Sequence, residues 1–200
     1  MIVENESNTV SFITMLDEIE ECLKAIKTKT SELGYEVNEA ALSGYSAGGH
    51  LALLYSYSRI ENSPIPLKFV FEQTGPADFH SDSWWGAGGE FLTGAISAYS
   101  GTPITEEMIE NGEAEQYINL ISPIYYINEN TIPTLCAYGK KDDLVTTVNS
   151  GKLLDALEKN NVKHDFIYFP NSNHGLYSDP ELQDEYHKKV LEYANKYFEN

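Results

Sequence analysis

A serine flanked by glycines, Gly44-Tyr45-Ser46-Ala47-Gly48, is the group in this chain best suited to do chemistry. Placed between a strand and a helix, Gly-x-Ser-x-Gly forces its serine onto a strained turn. Side chains two positions to either side would collide there with neighbouring backbone. The turn pushes the hydroxyl outward and leaves the Ala47 backbone N–H at a helix N-terminus, where it can donate to a developing oxyanion. In a chain with fourteen glycines the same pentapeptide could equally be a plain glycine-rich turn, so its partners decide. A serine hydroxyl near neutral pH needs a base to take its proton and a third group to orient that base.

The chain offers His50, His80, His164, His174 and His187 as bases. His50 falls four residues after Ser46 on the same helical stretch, which directs it toward the sheet or the preceding loop. His164 directly precedes a strand and His187 lies in the terminal helical pattern, both structural positions. His174 differs, because Pro170-Asn171-Ser172-Asn173-His174-Gly175 is a turn-forming loop just after the last strand. Loops beyond the carboxyl ends of parallel strands are where open α/β sheets hold reactive groups. His80, in a long connection, is the weaker rival. For the orienting carboxylate, Asp142 and Asp143 follow the strand-like run ending at Gly139. The chain order Ser, Asp, His, each after its own strand, favours Asp142, with Asp143 a solvated neighbour.

These side chains need a scaffold of alternating elements. Leu16, Ile19, Leu23 and Ile26 recur at helical spacing, with Thr14 and Asp17 as a capping-box-like start and Gly34 as the stop. The runs 40–44, 67–75, 134–139 and 165–169 read as strands, while 47–58, 148–159 and 181–198 read as helices. The expected fold class is therefore α/β, a three-layer sandwich with a mostly parallel sheet. A connection from Pro76 to Ile132, with helix-compatible pieces near 90–99 and 106–120, is long enough to be a cap or inserted subdomain. Its Trp84 and Trp85, with Tyr99, could line an acyl or sugar pocket or serve as packing.

With 42% hydrophobic residues in 200, the whole chain, 1–200, is expected to form one domain around a real core. Thirteen basic against thirty-one acidic residues give a net charge of −18, which repels polyphosphates and anionic lipid surfaces. Nucleic acid and membrane are thus set aside as partners. Cys22 and Cys136 are read as reduced core residues. No spacing suits a metal, so no cofactor is required. No run reaches membrane-spanning length and the acidic start lacks a signal pattern, so a cytoplasmic location is expected if Met1 is the true start.

Taken together the chain resembles the α/β-hydrolase superfamily, in particular its carbohydrate-esterase-like and prolyl-oligopeptidase-related acyl hydrolases. The stretches that carry the resemblance are Gly44-Tyr45-Ser46-Ala47-Gly48-Gly49-His50-Leu51-Ala52, Ser122-Pro123-Ile124, Gly139-Lys140-Lys141-Asp142 with Val145, and Asn173-His174-Gly175. They span about residues 12–198. The resemblance implies Ser46 as nucleophile, His174 as base and Asp142 as acid, with the aspartate three residues after Gly139 preferred over Asp143.

One departure stands out: the family's His-Gly-Gly-Gly-like oxyanion loop and about four early strands have no counterpart, so the fold is expected to be a truncated α/β-hydrolase. Loss of an oxyanion donor costs roughly 2.7–4 kcal/mol of transition-state stabilisation. The elbow strand, normally flanked by a missing strand, is expected at an exposed edge that favours homo-oligomers. The implied activity is hydrolysis of a small-molecule ester, with short acyl or acetyl groups favoured by analogy. The alternatives are a catalytically weak fragment persisting as a folded oligomer or binding module, and a peptidase.

Overall fold

The computed structural model of the protein describes residues 11–83 and 90–198, with the backbone alone for 90–92. Four strands, β1 (Ala40–Tyr45), β2 (Leu67–Gln73), β3 (Thr134–Gly139) and β4 (His164–Phe169), form one sheet in the order β1-β2-β3-β4. Every neighbouring pair is parallel, so each connection must cross a face of the sheet. The helices are α1 (Phe12–Glu32), α2 (Ala47–Ser58), α3 (Glu90–Ser100), α4 (Glu106–Glu110), α5 (Glu115–Ile121), α6 (Thr147–Lys159) and α7 (Pro180–Tyr197).

Alternation along the strands divides the core. Val70, Cys136 and Tyr138 point to one face, where they pack with Leu53 and Leu54 of α2, Leu16 and Leu23 of α1, and Leu153 and Leu157 of α6. Phe69, Leu135, Ala137 and Phe169 point to the other, against Tyr186 and Tyr193 of α7. All six residues of β3 are buried, as a central strand covered on both faces requires. The three-layer α/β expectation therefore holds, with α7 as the helix recorded against the second face.

That helix leaves β1 partly uncovered. Ser43 and Tyr45 are exposed, and an apolar groove of about 540 Å³ runs between β1, Phe71 and the Tyr186–Leu191 stretch of α7. β1 pairs only with β2 among the described strands. Ala40 and Ser46 donate their N–H groups to β2, at Pro66 O and Gln73 O. Strand parity then turns the N–H groups of Ala41, Ser43 and Tyr45 toward the open side.

Several local expectations are corrected. The cap of α1 is Ser11, whose hydroxyl accepts from Thr14 N–H at 3.2 Å, so the helix begins three residues earlier than the Thr14–Asp17 pattern suggested. Ile26 is 48% exposed because it lies past Leu23, the last buried residue of α1, whereas Cys22 is exposed because it sits off the Leu16–Leu23 stripe on the outward side of the helix. Cys136 is buried and free, as expected. The helical piece at 106–120 is two helices, broken where Gly112 adopts φ +83°.

Gly44 fixes how closely α2 docks on β1. A Cβ there would lie 2.1 Å from the carbonyl carbon and oxygen of Gly48, which are backbone atoms with no room to yield. Gly44→Ala is expected to destabilise the fold by about 3 kcal/mol or more, read as a lower denaturant midpoint with unchanged slope. A variant of parental stability would show that the turn is looser than described.

Candidate active site

Ser46 connects β1 to α2 with φ 54° and ψ −122°, a backbone conformation that L-residues adopt only when the surroundings impose it. Its N–H donates to Gln73 O at 2.8 Å and its carbonyl accepts from His50 N–H at 2.9 Å, so both sides of the turn are pinned. Ala47 is the first residue of α2, and its N–H has no acceptor within the helix. It points a donor and the positive end of the helix dipole at the space beside the hydroxyl.

Two further loops, both beyond carboxyl ends of strands, reach the same rim. After β3, Asp142 folds back on its own turn, where Oδ1 accepts the N–H groups of Leu144 at 2.8 Å and Val145 at 2.9 Å. After β4, the chain around His174 is braced by Asp179, which accepts from Asn171 N–H, Asn171 Nδ2 and Ser172 Oγ at 3.1, 2.8 and 2.6 Å. The two loops are tied by Lys141 N–H donating to Ser172 O at 3.0 Å.

The result is a hydroxyl, an imidazole and a carboxylate in series. His174 Nδ1 lies 2.8 Å from Asp142 Oδ2 and its Nε2 lies 2.8 Å from Ser46 Oγ. With the Nδ1 proton donated to the fully buried Asp142 side chain, Nε2 is left to accept the Ser46 proton. Tyr45, whose hydroxyl donates to His174 O at 2.7 Å, holds the histidine's backbone from below. Such a series can draw a proton from a serine hydroxyl as that oxygen attacks an electrophile. Beside it lies a cavity of about 230 Å³, lined by Ser46, Ala47 and His174 together with Phe12, Pro76, Phe79, Tyr99, Leu144 and Val145.

The family model that matches the sequence is BD-FAE, over residues 5–157. The chain belongs to the BD-FAE family. No curated protein matches it in sequence. Among solved structures it is similar to a truncated form of a carbohydrate esterase from gut microbiota, at TM-score 0.70 and 16% identity, covering 92% of this chain and 72% of that one. An acetyl ester-xyloside bifunctional hydrolase from Caldicellulosiruptor lactoaceticus gives TM-score 0.64 and 19% identity, covering 90% and 65%. Esterase B from Lactobacillus rhamnosis (HN001) gives 0.71 and 14%, covering 94% and 62%. The chain thus spans between three fifths and three quarters of the length of these structures. At such identities the likeness establishes the α/β-hydrolase fold.

The remaining histidines of this BD-FAE member lie outside the Ser46–His174–Asp142 series. His50 is fully buried, its ring 4.2 Å from that of Phe12, with Nδ1 2.8 Å from Pro76 O; burial pulls its pKa down to about 4, so it stays neutral. His164 Nδ1 lies 2.8 Å from Val162 O, and His187 is an exposed residue of α7. His80, the rival base, is turned away into a separate charged cluster. Its Nδ1 sits 2.5 Å from Asp78 Oδ1 and its Nε2 3.1 Å from Glu115 Oε1. Asp78 also accepts from Ser83 Oγ and, at 2.7 Å, from Lys152 Nζ. Burial pushes the Asp78 carboxyl up, but the bonds from His80, Lys152 and Ser83 outweigh it and hold the group well below the usual carboxylate range.

Sequence reasoning missed Phe12, Pro76, Phe79, Leu144 and Val145 as lining residues. Leu144 and Val145 were detectable, since they follow Asp142 in the same turn. Phe12 enters by tertiary packing alone, its ring stacked 4.3 Å from that of Tyr99. Tyr99, left open between lining and packing, does both, facing the cavity and stacking on Phe12, while Trp84 and Trp85 lie outside the described residues.

The Asp78–His80 pair braces the segment carrying Pro76 and Phe79. The hydrogen bond to the Asp78 carboxylate raises the His80 pKa from 6.5 to about 9. A raised folded-state pKa means the stabilisation is complete below about 6.5 and lost as pH climbs through about 9. His80→Ala is therefore expected to cost about 1 kcal/mol at neutral pH after solvent screening, and the gap in Tm from the parent should close by pH 10. A gap that widens on the alkaline side would contradict this pairing.

Proposed function

We propose that the protein is a serine hydrolase of carboxylic esters that works through an acyl-enzyme. The observation that carries this reading is the pair of 2.8 Å contacts joining Ser46, His174 and Asp142 across three separate loops. Ser46 Oγ attacks the ester carbonyl carbon while His174 Nε2 takes its proton, giving a tetrahedral oxyanion toward which the Ala47 N–H is directed. The protonated imidazole then gives that proton to the alkoxide leaving group as the carbon–oxygen bond breaks. Water repeats the sequence on the acyl-enzyme, releasing the acid and restoring the serine. Asp142 keeps the imidazole in the tautomer that accepts at Nε2 and stabilises its charged form. No step calls for a metal or cofactor.

A cavity of about 230 Å³ walled by Phe12, Pro76, Phe79, Tyr99, Leu144 and Val145 suits a small apolar acyl group and offers no charge to hold a charged one. Two of the structural neighbours carry carbohydrate-ester names, and acetyl on a carbohydrate is accordingly the substrate class we favour. A fluorophosphonate probe and p-nitrophenyl acetate test the reading together. Labelling is expected in the parent and lost in Ser46→Ala and His174→Ala, and Asp142→Asn is expected to lower kcat on the order of 10⁴-fold. Faster cleavage of a matching peptide amide than of the ester would favour a peptidase, and an unlabelled but well-folded parent would refute the enzyme reading.

One observation favours a second reading, a folded module that persists as an oligomer. The open edge of β1 presents the N–H groups of Ala41, Ser43 and Tyr45 from a strand without a single charged side chain, so the strand itself carries no charge to oppose pairing. Two copies related by a two-fold axis at Ser43 would satisfy these donors mutually. Sedimentation velocity is expected to show a concentration-dependent dimer that Ser43→Pro shifts to monomer. A monomer at all concentrations would remove this reading and leave the catalytic one intact.

A further inference from the structure

The proposed reaction leaves one buried acid without a role. Glu72 stands in β2 between Phe71 and Gln73, is fully buried and packs toward α2. Its Oε2 accepts the Gly75 N–H at 2.7 Å, while Oε1 has no hydrogen-bond partner of sound geometry. Gly75 belongs to a turn, 73–76, that is tied to the serine elbow and its helix at Gln73 and Pro76 and to β3 at Thr74 and Gly75. Gln73 O holds Ser46 N–H at 2.8 Å, Thr74 sits at φ 54° with its N–H on Ala137 O, Gly75 O accepts from Tyr138 Oη at 2.5 Å, and Pro76 O faces His50 Nδ1 at 2.8 Å. The turn is wedged: a Cβ on Gly75 would lie 2.7 Å from Gly49 C and His50 N and 2.9 Å from the Glu72 carboxyl. Pro76, at its end, forms part of the cavity wall.

We propose that Glu72 is a positioning residue for the serine elbow: its carboxyl fixes the Gly75 turn, which fixes both the backbone of Ser46 and the Pro76 wall, without touching substrate. This rests on the ester-hydrolase reading of the same site. The groups that face Glu72 explain why the acid stays uncharged. From β3 come Cys136 and Tyr138 and from α2 Tyr57, with the His50 backbone beside Gly75; Tyr186 of α7 acts only across the sheet, and none supplies a positive charge. Burial pushes the thiol and the phenols up and the imidazole down, so all remain neutral around it. Burial likewise raises Glu72 from 4.5 to about 8, against the opposing pull of the Gly75 N–H and of Cys136 and Tyr138.

Ionisation has a signed consequence. Above about pH 8 a carboxylate appears in dry surroundings beneath the first turn of α2, the same helix end that is to stabilise a developing oxyanion. A base that must be neutral produces only an acid limb in the rate profile, so an alkaline fall in kcat reports this second group. For stability, an acid raised in the folded state binds its proton more tightly there than in the unfolded chain, so stability declines between about pH 4.5 and pH 8.

The test is kcat and KM for p-nitrophenyl acetate from about pH 6 to about pH 10 in the parent, Glu72→Gln and Glu72→Leu, with Ser46→Ala as blank. Glu72→Gln keeps a neutral acceptor for Gly75 N–H. It is expected to retain kcat within about threefold at pH 7 and to lose the alkaline fall, with a flatter dependence of Tm on pH than the parent. Glu72→Leu removes the acceptor and is expected to lower kcat about tenfold with KM little changed. A parental alkaline limb in Glu72→Gln, or its absence in the parent, overturns the proposal even if the leucine variant fails to fold. A parent without Ser46-dependent turnover overturns the ester-hydrolase reading itself, whereas an active parent with unaltered variants sinks only the role of Glu72.

Discussion

The geometry of this molecule depends on one backbone constraint, the left-handed conformation of Ser46. An L-residue held at φ 54° costs on the order of 1–3 kcal/mol, and it persists because the surroundings leave no alternative. Gly44 lies against Gly48 so closely that no side chain fits, Gln73 O takes the Ser46 N–H, and the carbonyl of Ser46 opens the hydrogen bonding of α2. Relaxing the turn would break these contacts together. The same strain aims the hydroxyl away from the sheet and toward a histidine that is 128 residues distant in sequence.

What meets Ser46 at that rim is set by parallel topology. All four strands run the same way, so the loops after β1, β3 and β4 leave from one edge of the sheet, and the three polar side chains converge without any of them being near another in sequence. The charge distribution respects this arrangement. The carboxylates at the site, Asp142 and Asp179, are spent on holding loops, whereas the excess acidic charge of the chain lies mainly on exposed helix surfaces such as those of α1 and α4. Buried acids elsewhere are either paired, as Asp78 is with His80 and Lys152, or uncharged, as Glu72 is.

Most of the scaffold was legible because its signals were local. The mainly apolar run at 134–139, the β-branched and aromatic run at 67–75 and the helical spacing of 148–159 each declare their type, and the order of serine, aspartate and histidine after successive strands locates the rim. What escaped the sequence depends on tertiary contact. The amphipathic stripe of α1 continues to Ile26, yet burial ends at Leu23, so Ile26 faces solvent, and Cys22 lies off that stripe on the outward side of the helix. Phe12 enters the cavity because α1 crosses above α2, a relation no spacing encodes. Glu72 was overlooked although it carries a signal, a single carboxylate in the strand Leu67–Gln73; its burial against Gly49 and Gly75 gives that signal meaning.

Catalysis of the proposed kind requires Ser46 to form a bond to carbon during turnover. Protein quenched in acid while hydrolysing p-nitrophenyl acetate and weighed intact should carry one acetyl group, mapped by peptide fragmentation to Ser46 and missing from Ser46→Ala. Turnover with no acetyl on Ser46, or with the acetyl on another residue, would contradict it.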